Sequence, residues 1–336
     1  MRVLVTGGGG FLGSAVVRAL AARGDAVRVL ARGSYPWLAR LGVDARRGDV
    51  ADPAAVRDAV AGCDAVLHVA AKAGMGGRQA DYHRANVTGT LRVVQACVAL
   101  GVPRLVHTST PSVVHAGGSI RGGNESLPYA RRYETPYPRT KAAAERLALA
   151  ADRTPLRGGD GVLRTVALRP HLVWGPGDTQ LTARIVDRAR RGRLWLVGGG
   201  GAVVDTTYVE DAAAAHLAAL DRLGEDDPAC GGRAYFVSAG DPRPVADVVG
   251  RILDAHGLPP VRRSVPYPLA YGAGAAVEGV WSLLGRADEP PLTRFLATQL
   301  ATDHWFDLTA ARRDLRWSPQ VGVEEGVRRL RAALGT

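Results

Sequence analysis

The chain of 336 residues is 46% hydrophobic and 22% charged, which is ordinary for a globular protein with a full core. Its formal charge of +11 comes mostly from dispersed arginines without interleaved aromatic residues, so no nucleic acid binding is expected. Three widely spaced cysteines, the lack of an HExxH motif and the lack of an apolar run of about 18 residues argue against a disulfide framework, a metal site and a transmembrane helix.

Short β-branched runs alternate with amphipathic stretches from the first residues onward. The predicted strands lie at 2–7, 26–32, 43–50, 64–71, 104–110 and 164–170. The predicted helices lie at 11–24, near 82–100 and from about Pro138. Strand, helix and strand repeated in this way is typical of an α/β fold, in which right-handed crossovers give a doubly wound parallel sheet of the Rossmann type. The N-terminus has no signal-peptide pattern, so a cytoplasmic protein is expected.

After residue 170 this rhythm loosens, and loops rich in Gly and Pro appear together with most of the tryptophans. The sequence predicts a dinucleotide-binding core at 1–170 with returning elements at about 203–240. It predicts a smaller substrate-binding lid at 171–202 and 241–336. Apolar helices over the substrate are expected in the segment with Tyr267, Trp281, Leu284 and Phe295. The alternative, helices packed only on the protein's own core, stays open.

A glycine-rich turn follows the first predicted strand directly. Gly7, Gly10 and Gly13 have the spacing GxxGxxG, with Phe11 and Leu12 between them. Glycine lets a pyrophosphate approach the backbone closely at a helix N-terminus, so the turn predicts a dinucleotide site. A tight turn without a ligand is the alternative.

The end of the second predicted strand bears on the choice of dinucleotide. It carries no acidic residue for a ribose 2′-hydroxyl, whereas Arg32 is placed to meet a 2′-phosphate. NADP(H) is therefore favoured and NAD(H) remains possible, as does an ordinary surface role for Arg32. Asp49 follows the third strand and either accepts from the adenine amino group or caps the next helix.

Tyr137 and Lys141 lie four residues apart at the start of a predicted helix and so share one face. A nearby ammonium favours the phenolate and should lower the pKa of the tyrosine, which would then act as an acid/base on a carbonyl or alcohol. Ser109, Thr110 and Ser112, after the fifth strand, supply hydroxyls to hold the substrate oxygen. A surface pair on the helix is the alternative.

These motifs together resemble the extended short-chain dehydrogenases/reductases, in their 3β-hydroxysteroid dehydrogenase-like branch. The resemblance spans nearly the whole chain and rests on "TGGGGFLG", "HVAAKAG", "NVTGT", "LVHTSTPSVV", "YPRTK", "LRPHLVWGPGD" and "TTYVEDAAAAH". It implies an NAD(P)-dependent oxidoreductase in which Tyr137 is the acid/base, Lys141 contacts the nicotinamide ribose, and Thr110, or else Ser109, orients the substrate.

The resemblance also implies a set of ligand contacts. The implied cofactor contacts are Gly7, Gly10, Phe11, Leu12, Gly13, Arg32, Asp49, Val50, Ala70, Ala71, Lys72, Asn86, Thr108, Tyr137, Lys141, Pro170, His171 and Val173. The implied substrate contacts are Lys72, Ser112, His171, Trp174 and Trp281.

Within the branch, four segments are similar to bacterial reductases of olefin biosynthesis that act on lipid-like β-keto acids with NADPH. These segments are "AAKAG", "TSTPSVVH", "LRPHLVWGPGD" and "EPPLTRFLATQL". The resemblance implies reduction of a 2-alkyl-3-oxoalkanoate to the 2-alkyl-3-hydroxyalkanoate. A 3β-hydroxysteroid dehydrogenase remains the main alternative, and a nucleotide-sugar epimerase or dehydratase is disfavoured by the apolar second half.

Lys72 is one of the chain's two lysines and follows the fourth predicted strand. A flexible ammonium there could hold the carboxylate of a keto acid. The competing interpretations are a contact with a cofactor phosphate and a solvated surface lysine. Beyond the small-molecule substrate, a homodimer through the helices near 82–100 and 138–150 is expected, and a peripheral association with a membrane or with pathway enzymes is considered.

Overall fold

The computed structural model of the chain describes residues 1–74, 76–284, 286, 288 and 290–335. Its strands are β1 (Arg2–Thr6), β2 (Ala26–Ala31), β3 (Asp44–Arg47), β4 (Ala65–His68), β5 (Arg104–Thr108), β6 (Ile120–Gly123), β7 (Arg164–Pro170), β8 (Val173–Trp174), β9 (Leu196–Val197), β10 (Val203–Val204), β11 (Thr207–Tyr208), β12 (Arg233–Val237), β13 (Arg243–Pro244), β14 (Ser264–Val265) and β15 (His304–Phe306). Its α-helices are α1 (Phe11–Ala22), α2 (Pro36–Arg40), α3 (Pro53–Val60), α4 (Gln79–Tyr82), α5 (Gly89–Leu100), α6 (Pro136–Ala150), α7 (Thr182–Arg190), α8 (Val209–Arg222), α9 (Val245–Ala255), α10 (Tyr267–Leu283), α11 (Arg294–Ala301), α12 (Thr309–Leu315) and α13 (Val323–Leu334).

A seven-stranded sheet with the order β12-β7-β5-β4-β1-β2-β3 forms the centre of the fold. Every neighbouring pair in it is parallel, which confirms the doubly wound α/β fold. The chain runs outward from β1 to β3 and then returns to β4 on the other side of β1. Ligands of such sheets bind at the carboxyl ends of the strands where the order reverses, here beyond β1 and β4.

Burial on both faces explains the continuous apolar strands of the sheet. In β1, Val3, Leu4 and Val5 are fully buried. One face of the sheet packs on α1, α8 and α12, and the other on α3 and α5. β3 differs because it is an exposed edge strand with charged residues, and it covers four residues rather than the predicted 43–50.

Two helices near the carboxyl edge depart from the predicted boundaries. The helix expected near 82–100 consists of α4, a π-helical segment at His83–Thr88, and α5. Such wide turns occur often at functional sites, and this one contains Asn86. α6 begins at Pro136, two residues before the predicted start, with Thr135 as its N-cap.

The chain after residue 170 both returns to the sheet and builds smaller sheets. β12 pairs with β7, and α8 packs on α1, within the range expected to return. A second sheet has the order β13-β10-β15-β6. The division into core and lid stays a prediction, and residues 285, 287, 289 and 336 of the predicted lid lie outside the described residues. In the described ranges, no helix has the length and apolar character to cross a membrane.

Candidate active site

The turn between β1 and α1 has the close packing that a phosphate-binding turn requires. Gly7 has a φ of 71°, and a Cβ there would lie 2.8 Å from the Ala70 Cα. A Cβ on Gly13 would lie 2.2 Å from the Gly7 carbonyl oxygen. At Gly10, no side chain of the described residues caps α1, and the first turn of α1 carries no acid. The helix N-terminus therefore suits an anionic group that approaches the backbone.

The ring of Tyr35 covers this turn, a contact that the sequence did not indicate. A Cβ on Gly9 would lie 2.0 Å from the Tyr35 Cε2, and one on Gly33 would lie 2.9 Å from its hydroxyl oxygen. An aromatic residue in a loop has no characteristic spacing, so only the folded chain reveals this position. Phe11 and Leu12, between Gly10 and Gly13, pack against the hydrophobic cluster around Trp174.

The residues expected to contact the adenosine half lie beyond β2 and β3. Arg32 directly follows β2 and is exposed. Asp49 accepts hydrogen bonds from the Ala51 N–H at 2.9 Å and from Arg84 at 3.1 Å. Burial would raise the pKa of Asp49, but these bonds and the charges of Arg84 and Arg32 hold it below its usual value. Asp49 therefore stays ionised close to Arg32.

The alternative that Asp49 caps the next helix does not hold in the structure. The N-cap of α3 is Asp52, whose carboxylate accepts from the Ala54 N–H. Val50 is buried and would contact a Cβ at Gly89. Asp49 and Val50 thus lie in the connection from β3 to α3.

Asn86 fastens the loop after β4 to helix α6. Its side chain accepts from the Lys72 N–H at 2.7 Å and donates to the Lys72 carbonyl at 3.1 Å and to the Thr140 hydroxyl at 2.9 Å. Ala70, in the same loop, donates its N–H to the Thr6 hydroxyl at 3.2 Å. The segment Ala70–Lys72 is therefore held against both β1 and the helix that carries Tyr137.

The Lys72 side chain lies apart from this hydrogen-bonded backbone. Its ammonium nitrogen is 5.1 Å from the centre of the Tyr82 ring, and the residue is half-buried. A Cβ on Gly77 would lie 3.0 Å from that nitrogen. The lysine is thus at the carboxyl edge of the sheet, as the sequence predicts, with its charge over an aromatic face.

Thr110 and Tyr137 lie in contact where β5 ends and α6 begins. The Thr110 side chain interacts with the Tyr137 hydroxyl and lowers the pKa of Tyr137, without offsetting the larger increase that burial causes. The Thr110 hydroxyl also accepts from the Ser112 N–H at 3.3 Å and donates to the Ser112 hydroxyl at 3.3 Å. The hydroxyls of Thr110, Ser112 and Tyr137 therefore form one continuous polar group.

Lys141 lies one turn further along α6, and its side chain is 2% exposed. Its ammonium donates to the Thr108 carbonyl at 2.5 Å. Burial lowers the pKa of Lys141 to about 8, although the charge of Glu145 acts in the opposite direction. The sequence led us to expect a lowered pKa for Tyr137, whereas the structure gives a raised one, since the ammonium is directed at a backbone oxygen.

Ser109 points away from Tyr137, towards a buried ion pair that the sequence did not reveal. Arg169 donates to both carboxylate oxygens of Glu145 at 2.6 and 3.0 Å, and Tyr129 donates to the same carboxylate at 2.7 Å. Burial would raise the pKa of Glu145, but the hydrogen bonds and charge of Arg169 and the hydrogen bond of Tyr129 hold it below its usual value. The Ser109 hydroxyl makes no hydrogen bond of normal geometry.

Glu145 follows Lys141 by four residues, which is an ordinary spacing on one helix face. The sequence therefore showed no sign of the ion pair between Glu145 and Arg169. The structure therefore places an anion directly behind the lysine of α6. Thr110, rather than Ser109, faces the tyrosine.

The strip after β7 lies beside this group. Pro170 is buried at the end of β7, and Val173 begins β8. His171 is 7% exposed and donates from Nδ1 to the Asp205 carbonyl at 2.6 Å. Thr108, in turn, uses its hydroxyl to bond His216 at 2.8 Å. The Thr108 hydroxyl and carbonyl are therefore both already engaged within the protein.

The two tryptophans predicted to contact the substrate have different surroundings. Trp174 is 1% exposed, donates to the Thr206 hydroxyl at 3.0 Å and meets the Tyr208 ring edge-on. It belongs to a core cluster, so this placement does not support contact with a substrate. Trp281 lies in α10, is half-buried and stacks with Arg286 at 4.4 Å.

Among the described residues, no group of three or more His, Cys, Asp or Glu side chains is arranged to hold a metal ion. A doubly wound parallel sheet with a glycine turn after β1 and a Tyr–Lys pair beside the end of β5 defines an extended short-chain dehydrogenase/reductase.

Residues 4–267 match the 3-beta hydroxysteroid dehydrogenase/isomerase family, and the chain belongs to that family. It is similar to the 2-alkyl-3-oxoalkanoate reductase of Stenotrophomonas maltophilia (strain K279a), with 51% identity covering 99% of both chains. It is 46% identical to the protein of the same name from Shewanella oneidensis, over 98% of this chain and 85% of that one. The chain is therefore an NAD(P)-dependent oxidoreductase, a reductase of this family.

A solved structure supports the use of a nicotinamide cofactor. MoeE5 in complex with UDP-glucose and NAD has a TM-score of 0.75 and 26% identity, covering 100% of this chain and 99% of that one. Its likeness extends over the glycine turn, which in this chain fits an anionic group on the evidence of its own packing.

Proposed function

We propose that the chain reduces a lipid-like β-keto acid with NADPH, converting a 2-alkyl-3-oxoalkanoate into the 2-alkyl-3-hydroxyalkanoate. The observation that carries the proposal is the 51% identity, over 99% of both chains, with a reductase named for that substrate. The contact between Thr110 and Tyr137, with Lys141 one turn behind, supplies the groups that such a reduction needs.

Tyr137 is the proton donor in this proposal. The hydroxyls of Thr110 and Tyr137 bind the ketone oxygen of the substrate. When bound, the nicotinamide supplies a hydride to the ketone carbon. As negative charge develops on the oxygen, Tyr137 donates its phenolic proton. Its raised pKa serves this direction of reaction, because the phenol stays protonated at neutral pH.

Lys141 stabilises the phenolate that proton donation leaves behind. Its ammonium is fixed by the Thr108 carbonyl and supported by the charge of Glu145. The pKa of about 8 means that the lysine is charged at neutral pH and loses its proton in mildly alkaline solution. Reduction should therefore weaken as the pH rises through this value.

The glycine turn would hold the cofactor's pyrophosphate, and exposed Arg32 its 2′-phosphate. The lack of an acid at the end of β2 supports NADP(H) over NAD(H). Asp49 and Val50 would border the adenine. Ala70, Ala71, Lys72, Asn86, Thr108, Pro170, His171 and Val173 are the remaining proposed cofactor contacts.

The proposal is tested with the alcohols rather than the ketones, because β-keto acids lose carbon dioxide in solution. NADP⁺ reduction is followed with a 2-alkyl-3-hydroxy acid, a 3β-hydroxysteroid and UDP-glucose. We expect the hydroxy acid to be oxidised with the highest kcat/KM. A higher kcat/KM for the steroid would overturn the proposal.

A 3β-hydroxysteroid dehydrogenase is the second candidate, favoured by the family that residues 4–267 match. The same Thr110, Tyr137 and Lys141 would serve it, so the active-site chemistry does not separate the two. A steroid is a rigid, uncharged ring system, whereas the keto acid carries a carboxyl one carbon away from the reacting carbon. Recognition of that carboxyl is therefore the feature that would distinguish them.

The remaining expectations concern location and assembly. We propose a cytoplasmic homodimer that pairs through α5 and α6. The apolar side chains of α10 support a peripheral association with a membrane or a pathway enzyme, since Leu269, Val280 and Leu283 are 65%, 51% and 91% exposed. Sedimentation with and without lipid vesicles would test both points.

A further inference from the structure

Three buried histidines from separate parts of the chain converge next to Ser112. His115 follows the short 3₁₀ turn after β5, His171 follows β7, and His304 begins β15. The ring centres of His115 and His304 are 4.6 Å apart, and those of His171 and His304 are 6.0 Å apart. None of the three is more than 8% exposed. Burying three imidazoles together costs free energy, and the packing of the hydrophobic core does not require it.

These histidines line a narrow cavity whose mouth borders the proposed reaction centre. The cavity is small, and Ser112 and Pro111 form part of its wall. The Ser112 hydroxyl is 3.3 Å from that of Thr110. A group bound in the cavity would therefore lie very close to a ketone held by Thr110 and Tyr137. The cavity is too narrow for long alkyl chains.

Nε2 of His171 has no hydrogen-bond partner among the described residues. Gln299 lies 3.0 Å from His115 Nδ1, and His115 Nε2 lies 2.9 Å from His304 Nε2, so both nitrogens of His115 have partners. His171 donates from Nδ1 to the Asp205 carbonyl, which leaves Nε2 as an acceptor. Among the described residues, no side chain or backbone group bonds that Nε2. This nitrogen is therefore available to a ligand that brings a proton, or that accepts one after His171 is protonated.

From this geometry we propose that the cavity lined by Ser112, His115, His171 and His304 binds the carboxyl group of the substrate and selects a keto acid over a neutral ketone. The proposal rests on the proposed function. In a β-keto acid only one carbon separates the carboxyl from the ketone carbon, which matches the short step from Thr110 to Ser112. The Ser112 hydroxyl donates to one carboxyl oxygen, and a single proton is shared between the other oxygen and His171 Nε2.

The electrostatics of the cavity fit a proton-sharing pair rather than a permanent cation. Burial lowers the pKa of His171 to about 4 and that of His304 to about 2, so the empty cavity is uncharged at neutral pH. A carboxylate entering it would restore a proton to His171, whose Nδ1–H is already held by a carbonyl. Binding of the acid should therefore take up about one proton from solution, whereas binding of an ester should take up none.

The proposal separates this cavity from Lys72, whose ammonium lies over Tyr82 and which the sequence suggested for the same carboxylate. The two candidates differ in charge, since the lysine brings a permanent cation and the histidine does not. They are tested with His171→Phe, which keeps a ring against Phe306, and with Lys72→Met. The matched control is His256→Phe, because His256 also bonds a backbone carbonyl from Nδ1 at 2.8 Å but lies in α9's C-cap.

The measurement is NADP⁺-dependent oxidation of a 2-alkyl-3-hydroxy acid and of its methyl ester. We expect His171→Phe to lower kcat/KM for the acid by about tenfold or more, the effect of one hydrogen bond to a charged group, chiefly through KM. The loss should be clearly greater for the acid than for the ester, and His256→Phe should change neither. Ser112→Ala should show the same preference for harming the acid, to a smaller extent.

Other outcomes would contradict the cavity assignment in distinct ways. Equal losses for acid and ester in His171→Phe would assign the histidine to the fold or the cofactor. A selective loss for the acid in Lys72→Met alone would assign the carboxylate to the lysine. If the wild-type protein oxidises acid and ester equally well, the cavity is not a carboxyl site although the reductase proposal stands. If it oxidises neither, the proposed function itself fails.

Discussion

The reaction centre lies where β5 ends and α6 begins. Its construction is the opposite of that of the arm, which we define as α10 and α11. In the reaction centre, Lys141 and Glu145 are buried, and each of the two is held by a named partner, Thr108 and Arg169 respectively. In the arm, α10 buries only Ala270 and Gly274 along its 17 residues and exposes large apolar side chains. Buried hydrogen bonds and ion pairs thus hold the reactive groups in place, whereas α10 is packed only loosely on the rest of the protein.

Replacing Tyr137 with Phe should give the largest effect, because it removes the proton donor and retains the ring. We expect kcat to fall by about 10²-fold or more, the usual scale of general acid catalysis. NADPH binding, measured by fluorescence titration, should be unchanged. Tyr133→Phe is the control, since Tyr133 lies in the preceding loop and donates to the Val113 carbonyl at 2.8 Å. Comparable losses in both variants would refute a special role for Tyr137.

Replacing Lys141 with Met should abolish the support for Tyr137 and yet stabilise the fold. The folded-state pKa of Lys141 is about 8, below the value of about 10.4 of a free lysine, so the unfolded chain binds more protons between these values. The stability of the wild type should therefore increase as the pH rises from about 8 to 10.4, by roughly 3 kcal/mol from this group. Below pH 8 the buried ammonium opposes folding by that full amount.

The measurement is the difference in unfolding free energy between Lys141→Met and the wild type, from denaturant titrations at pH 7 and pH 10. The variant should have the larger advantage at pH 7, and the advantage should shrink at pH 10. A variant that is less stable at pH 7 would mean that the bond to the Thr108 carbonyl outweighs the cost of burying the charge.

Some features of the fold and the site could be predicted from the sequence and others could not, because they depend on different kinds of contact. Strand periodicity predicted six strands of the sheet, and the spacing of Tyr137 and Lys141 predicted one shared helical face, because these depend on neighbours along the chain. The Glu145–Arg169 pair joins α6 to β7, and the histidine cavity joins three distant segments. No local spacing encodes such contacts, so the sequence left them unseen.

The sequence motifs also could not predict the chemical environment of the site residues. The direction of the Tyr137 pKa depends on burial and on where Lys141 points, and a motif specifies neither. Trp174 was expected to face the substrate because tryptophans cluster after residue 170, whereas it lies in the core. Composition indicates that apolar side chains are available and does not say which face of the chain they cover.

Arg32 tests the cofactor half of the reaction centre. A contact between its guanidinium and a 2′-phosphate is charge-assisted and worth about 1.5–3 kcal/mol. Arg32→Ala should weaken NADPH binding by at least about tenfold and leave NADH nearly unchanged. The neighbouring exposed Arg47 donates to the Arg32 carbonyl at 3.1 Å and provides the control variant Arg47→Ala. Equal weakening of both cofactors would assign Arg32 to the general positive charge of this edge.

Trp281→Ala should have the smallest effect, and it tests the arm. Trp281 is half-buried in α10 and stacks on Arg286, so its removal leaves the reaction centre intact and takes away apolar area near the expected alkyl chains. If the arm covers the substrate, the ratio of kcat/KM for long and short alkyl chains should shift by a few-fold while the melting temperature changes little. The exposed Leu283 offers the control Leu283→Ala, which should leave the ratio unchanged unless the outer face of α10 also meets the chain. A uniform loss of rate at every chain length, together with a lower melting temperature, would instead make Trp281 a part of the packing between α10 and α11. The arm would then not determine which substrate lengths the enzyme prefers.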